Sequence, residues 1–275
     1  MNYARLANPG ECEAMDEEVL RVESRGQVRV LIIDREAAGN SISAEVVAAF
    51  ARALDALERD TRLRAVVIAS VGERFFCSGG DVKQYRALRT RDALDAAFGL
   101  ARETMDRIEA LPVPVIAALD GLALGGGAEL ALACDVRIAS RGARIGFPYV
   151  RLGLMPGWNG GERLLRVCGH ARAMDLLLTG ETLDAEAAER AGLFTRVAAS
   201  GTAFDAALAY AAAIEATAPL SAPAIKGALQ AAWRSPGPEA RAVATEAFAR
   251  LWLSDDHREA EAAFAEKRAP IFAGR

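Results

Sequence analysis

Residues 119–135 read LDGLALGGGAELALACD. Gly125, Gly126 and Gly127 run straight into Glu129 and an apolar stretch. Glycine loses more conformational freedom on folding than any other residue, so three in a row need a reason. The segment upstream, VPVIAALDG at 113–121, is largely apolar and reads as a buried strand. The apolar run behind Glu129 reads as a helix. The motif is therefore a strand, a glycine turn and a helix start.

The same design occurs earlier in the chain. LRAVVIASV at 63–71 is a largely apolar strand, and GERFFCSGGD at 72–81 is a Gly-rich loop before the next helical stretch. Glycines let backbone N–H groups approach a ligand without an intervening side chain. A helix start adds partial positive charge. Two such turns side by side can aim two N–H groups at one oxygen, which is an oxyanion hole. The bland alternative is a pair of tight strand-to-helix turns with glycines for close packing. Neither loop spells GxGxxG or ends in the Lys-Ser/Thr of a phosphate-binding loop.

The rest of the chain continues the alternation. VRVLIID at 28–34 is a strand, and an amphipathic helix starts behind Ser43, a plausible N-cap. A helix spans about 92–110, strands lie at 136–140 and 143–148, and a short helix lies at 161–169. Two more helices fill about 171–192, and LFTRVA is a short strand. From Phe204 the text is almost all helix, interrupted at Pro236 and Pro238. The fold class is α/β with buried strands, in a core over 1–203 and a helical region over 204–275. Composition does not separate a doubly wound sheet from a spiral of strand-strand-helix units.

Composition excludes several classes. The net charge of −4 gives no overall field for nucleic acid. Cys12, Cys77, Cys134 and Cys168 form no CxxC pair and read as reduced thiols of a cytoplasmic protein. Residues 1–17 read as a loose polar leader rather than a signal peptide, and no stretch has the length and apolarity of a membrane span. No metal site is expected, because no His/Cys/Asp cluster has ligand spacing. The two histidines, His170 and His257, sit in polar surroundings and read as surface residues. Ser78 is not in a GxSxG elbow and has no histidine nearby in sequence. Glu129 keeps two readings: an acid favoured by the helix dipole, or a general acid/base beside the oxyanion hole against an apolar wall.

These segments resemble the crotonase superfamily, the enoyl-CoA hydratase/isomerase family. FFCSGGDVKQY is similar to its FCAGADLKE-type loop, and DGLALGGGAELALACDVRIAS to its NGxALGGGCELAxxCDxxxA segment. GFPYVRLGLMPGWNGGERLLRVCG follows FGxPExxLGxxPGxGGTQRLxxxxG, and AAFAEKRAPIF is similar to the family's C-terminal AFxEKRxPxF. LTGETLDAEAAERAGLFTRV is similar to the segment between them, so the likeness runs from about Val28 to Phe272. The resemblance implies a spiral of ββα units with a C-terminal helical trimerisation region, as a homotrimer or dimer of trimers. It implies an acyl-CoA substrate and no separate cofactor, since CoA is part of the substrate. The oxyanion-hole N–H groups fall on Ser78 and Gly126. CoA contacts fall near Ala38, Asn40, Ser78 and Asp81, with Phe248 and Lys267 in the places of an aromatic and a lysine given by a neighbouring subunit. Trp158 lines the acyl pocket, or is a core tryptophan.

Glu129 matches the first of two catalytic glutamates of the hydratases, and the second falls on Tyr149. This departure opens alternatives. A hydratase-like lyase would rest on Glu129, with Tyr149 orienting water or donating a proton. Decarboxylation of a methylmalonyl- or ethylmalonyl-type CoA ester needs no strong base, since loss of CO₂ gives the enolate directly. Thioester hydrolysis is a further reading, and an acyl-CoA binder without turnover is the non-enzyme one.

Overall fold

A computed structural model describes residues 15–17, 19–86 and 88–275, with backbone alone for 15–17. Its strands are β1 (Met15–Glu17), β2 (Leu20–Arg25), β3 (Val28–Ile33), β4 (Ala65–Ser70), β5 (Phe75–Cys77), β6 (Val115–Leu119), β7 (Leu122–Leu124), β8 (Val136–Ser140), β9 (Arg144–Gly146), β10 (Thr182–Asp184) and β11 (Arg196–Ala198). Its helices are α1 (Ala44–Leu57), α2 (Val82–Tyr85), α3 (Arg91–Ala110), α4 (Gly126–Ala133), α5 (Gly160–Thr179), α6 (Ala185–Arg190), α7 (Ala203–Glu215), α8 (Ser221–Arg234), α9 (Pro238–Trp252) and α10 (Asp255–Glu266).

The strands form two sheets, ordered β1-β2-β3-β4-β6-β8-β11 and β10-β9-β7-β5. In the large sheet β3, β4, β6, β8 and β11 run parallel, while β1 and β2 add an antiparallel edge. From β4 to β9 successive strands alternate between sheets. β4, β6 and β8 lie in the large sheet, and the strand after each (β5, β7, β9) lies in the small one before the chain enters a helix. That alternation is a spiral of ββα units and excludes the doubly wound arrangement. The last three residues of the expected leader differ from the sequence reading. Met15–Glu17 pairs with β2, because a strand needs only backbone groups to add to a sheet edge. Residues 1–14, including Cys12, lie outside the described residues.

The large sheet is buried on both faces, as its apolar runs predict. Along β4 the side chains split by period two. Val66 and Ile68 join a core with Phe50, Phe76 and Leu130, while Ala65, Val67 and Ala69 face a second core. That second core is closed by Ala207 and Ala211 of α7. Asp120, inside the opening segment, caps α7 by accepting from Ala203 N at 2.9 Å and Phe204 N at 3.2 Å. Ser43 caps α1 through Val46 N, as expected, and α5 is broken at Gly169, where φ is 76°.

Lys226 ties α8 to the same sheet. Its buried ammonium donates to Asp135 Oδ2 at 2.6 Å and to Val113 O at 2.9 Å. Lys226→Met is expected to lower stability by about 1.5–3 kcal/mol, the range for hydrogen bonds to charged groups. Urea denaturation followed by circular dichroism checks this; an unchanged midpoint would show that the tie contributes nothing.

Candidate active site

Parallel pairing of β5 with β7 brings the two glycine loops together (Phe75 opposite Leu122, Cys77 opposite Ala123). A Cβ placed on Gly79 would lie 3.1 Å from Leu124 O and 3.6 Å from Gly126 N. Gly125 has φ 52° and ψ −120°, a conformation that side chains disfavour. A Cβ on Gly127 would overlap the Cys77 carbonyl, and one on Gly126 would overlap the Trp158 indole. The triplet thus turns the chain and then lets α4 press against β5. Gly127→Ala is expected to destabilise the fold by about 1–3 kcal/mol, because the opposing atom is backbone and cannot swing away. A urea midpoint equal to wild type would remove this account of the glycine.

The two expected oxyanion donors differ. Gly126 N–H opens α4 and has no acceptor among the described residues, the ordinary state of a first-turn donor. Ser78 N–H instead donates to Gly39 O at 2.9 Å. Of the two expected donors, then, Gly126 N–H is the one left open among the described residues.

Glu129 lies one turn into α4 and is 1% exposed. Its Oε1 accepts from the Tyr149 hydroxyl at 2.5 Å and from Gly157 N at 3.1 Å. Its Oε2 accepts from Trp158 N at 2.8 Å and Gly160 N at 2.7 Å. An ionised carboxylate has about four acceptor directions. All four are occupied, so Glu129 also fastens the turn at 156–160 onto α4. A Cβ on Gly160 would overlap the Glu129 side chain, which explains the glycine there.

Tyr149 comes from the 3-10 turn Pro148–Leu152 and is buried. Burial first, and the neighbouring Glu129 charge second, raise its phenol well above the usual value of 10. It is a neutral hydrogen-bond donor. The indole of Trp158 packs over Gly126 and beside Gly80. Tyr85 and Phe98 continue this wall, their rings 5.1 Å apart. Arg163 holds Trp158 from behind: its Nη1 donates to Trp158 O at 2.8 Å, while Glu109 and Asp106 take its other nitrogens.

The expected CoA residues have separate fates. Ala38 is exposed beside the loop at 72–81. Asn40 is buried with a positive φ of 53°, and its side chain is fully engaged. It accepts from Arg35 N and donates to Val71 O and Phe75 O, stapling this turn to β5. Asp81 caps α2 and pairs with Arg35 at 3.1 Å. Phe248 is 63% exposed on α9, stacked against Trp252 at 5.7 Å. Lys267 ends α10 with φ 56°. No hydrogen bond or ring contact among the described residues joins Phe248 or Lys267 to Glu129 or Tyr149. Tyr85, Phe98 and Arg163 escaped the sequence reading, since an isolated aromatic or arginine on a helix carries no positional signal.

A cleft of about 190 Å³ lies around Asp106, Glu109, Glu162, Arg163, Arg166 and Arg234. Its acids and arginines pair with one another, so it is a self-neutralised ion network. Among the described residues no group of three His, Cys, Asp or Glu side chains is placed to hold a metal ion. No helix there is long and apolar enough to cross a membrane.

The family model described as Enoyl-CoA hydratase/isomerase matches residues 23–275. The chain belongs to the enoyl-CoA hydratase/isomerase family. It is 37% identical over 261 residues to a probable enoyl-CoA hydratase, echA8, of Mycobacterium bovis, covering 95% of this chain and 100% of that one. It is 34% identical to the short-chain-enoyl-CoA hydratase of Clostridium acetobutylicum, covering 90% and 94%. A crystal structure of an enoyl-CoA hydratase from Geobacillus kaustophilus superposes with a TM-score of 0.91 at 30% identity, covering 96% of this chain and 100% of that one. The fold shared with this family is the crotonase spiral, and its helical C-terminal region is present here.

Proposed function

We propose that this member of the family turns over acyl-CoA thioesters through a thioester enolate, with Gly126 N–H facing the enolate oxygen and the Tyr149–Glu129 pair moving the proton. The observation that carries the reading is the 2.5 Å hydrogen bond between the neutral Tyr149 phenol and Glu129 in the site built by the two glycine loops. The first assignment is hydratase-like, the reaction named for the relatives. Water adds to the β-carbon of a 2-enoyl thioester, and the C=C electrons move to the carbonyl oxygen. Tyr149 gives its proton to the α-carbon. Glu129 takes the water's proton by exchanging its longest donor, Gly157 N at 3.1 Å, for the water. That proton then passes to the phenolate across the short hydrogen bond, restoring both groups.

One observation favours a second reading. The four donors on Glu129 compete with any water it would have to deprotonate. Decarboxylation of a malonyl-type CoA ester avoids that step: the C–CO₂ bond breaks, its electrons form the enolate, and Tyr149 protonates the α-carbon. The phenolate is then reprotonated from solvent. In both readings the protein works as a homotrimer or dimer of trimers, with Phe248 and Lys267 completing a neighbouring CoA site. Incubation with crotonyl-CoA, methylmalonyl-CoA and ethylmalonyl-CoA, followed by mass spectrometry, separates them. Water addition without CO₂ loss supports the hydratase, and CO₂ loss without hydration supports the decarboxylase. Failure to turn over any of the three would sink both.

A further inference from the structure

Trp158 sits where the two glycine loops meet. Its Cζ3 edge covers Gly126, and its Cζ2 lies 3.5 Å from where a Cβ on Gly80 would stand. Cζ2 is bonded to the carbon that carries Nε1, so the N–H edge of the indole lies toward the Gly80 side. The residue is 2% exposed, and Nε1 is buried with no hydrogen-bond partner among the described residues. An indole N–H is a donor only, and the large majority of buried polar groups are paired. This one has nothing to donate to among the described residues.

The backbone does not let it move to find a partner. Trp158 N–H is held by Glu129 Oε2 at 2.8 Å, and Trp158 O is held by Arg163 at 2.8 Å. Arg163 is itself fixed by Glu109 and Asp106 of α3. An unpaired donor thus stands beside the glycine loops, on the Gly80 side of an indole whose other edge packs over Gly126. An acyl group whose thioester oxygen meets Gly126 N–H must pass this indole. Its N–H calls for an oxygen acceptor on that group.

We propose that Trp158 is a specificity-determining residue of the acyl site, selecting an acyl group that carries an oxygen acceptor on or next to its α-carbon, to which the indole N–H donates. The inference rests on the enolate reading above and adds what kind of acyl group that site takes. Two sources supply such an oxygen: a carboxylate on the α-carbon, as in a malonyl-type ester, and a hydroxyl on the β-carbon, as in a hydrated enoyl thioester.

Calorimetric titration at 4 °C, with the recovered thioester identified by mass spectrometry, tests it on the full chain. Methylmalonyl-CoA is compared with isobutyryl-CoA, which has a methyl in place of the carboxylate. 3-Hydroxybutyryl-CoA is compared with butyryl-CoA, which lacks the hydroxyl. Wild type is expected to prefer one oxygenated partner by about tenfold, the worth of one good hydrogen bond. Which pair shows the preference identifies the source. Trp158→Phe keeps a ring and removes the donor. It is expected to bring that ratio to about one. The same ratio in Trp158→Phe overturns the proposal, and so does the absence of a preference in wild type, which needs no variant. If wild type binds free CoA but neither oxygenated thioester, the specificity proposal fails and the acyl-CoA reading stands. If it binds no CoA compound at all, both fall.

Discussion

Glu129→Gln is expected to lower stability by about 2–4 kcal/mol and turnover by a factor of about 10²–10⁴. The substitution keeps size and shape, so the effect isolates the second oxygen. A glutamine has one carbonyl oxygen and an NH₂ that only donates. Placed with its nitrogen toward Trp158 N and Gly160 N, it would set donors against two backbone donors. The cheaper orientation puts the nitrogen toward Tyr149, whose hydroxyl can turn round and accept. Gly157 N–H is then left without its acceptor, and the remaining bonds lose the strength that a charged acceptor gives them. Turnover falls because the turn at 156–160 loosens over Gly126 and because the phenol loses its proton partner. Urea denaturation and a product assay on the same preparation check both effects. Wild-type stability in this variant would mean that the four hydrogen bonds are not what holds the turn.

Tyr149→Phe is expected to cost turnover a factor of about 10²–10⁴ with a much smaller loss of stability, about 1 kcal/mol. The ring still fills its place, and Glu129 keeps three of its four donors. A rate equal to wild type would make Tyr149 part of the pocket wall rather than a proton donor. Titration adds a second signature. The folded phenol ionises well above 10 because burial and the Glu129 charge oppose the phenolate. An unfolded tyrosine ionises near 10, so the folded state holds this proton more tightly. The corresponding stability is fully present below about pH 10. It declines as pH rises above that value, by up to about 1.4 kcal/mol per unit, until the folded phenol ionises. Denaturation midpoints taken across this range should fall more steeply in wild type than in Tyr149→Phe. Turnover by wild type should show no loss from phenol ionisation below about pH 10.

Much of the fold is legible in the chain because its largest elements carry strong periodic signals. LRAVVIASV and VPVIAALDG are apolar enough to announce strands covered on both faces, and Ser43 announces the helix that follows it. β5, β7 and β10 are three residues each, too short for a period to register, whereas β9 lies within the strand read at 143–148. FFC and LAL therefore look like parts of loops, although their pairing is what sets the two glycine turns side by side. β2 and β1 at the sheet edge were equally silent, since half-exposed and polar residues such as LRVESR carry no clear alternation.

The candidate site divides in the same way. The glycine triplet, the adjacent Glu129 and the tyrosine where a second carboxylate would stand are visible as text, because each is a residue type at a fixed spacing. The sequence alone determined an α/β chain of this family, with two glycine turns of one design and an acid behind the second. Only the tertiary structure decided what that acid does. Tyr149, Gly157, Trp158 and Gly160 lie 20 to 31 positions beyond Glu129 and reach it only when the turn at 156–160 packs onto α4. It also decided that Ser78 N–H is taken by Gly39 while Gly126 N–H is open, and that the Trp158 indole packs where a Gly126 side chain would stand. The physical reason is that hydrogen bonds at such separations depend on where the spiral brings backbone groups together, and a backbone N–H leaves no mark in the sequence.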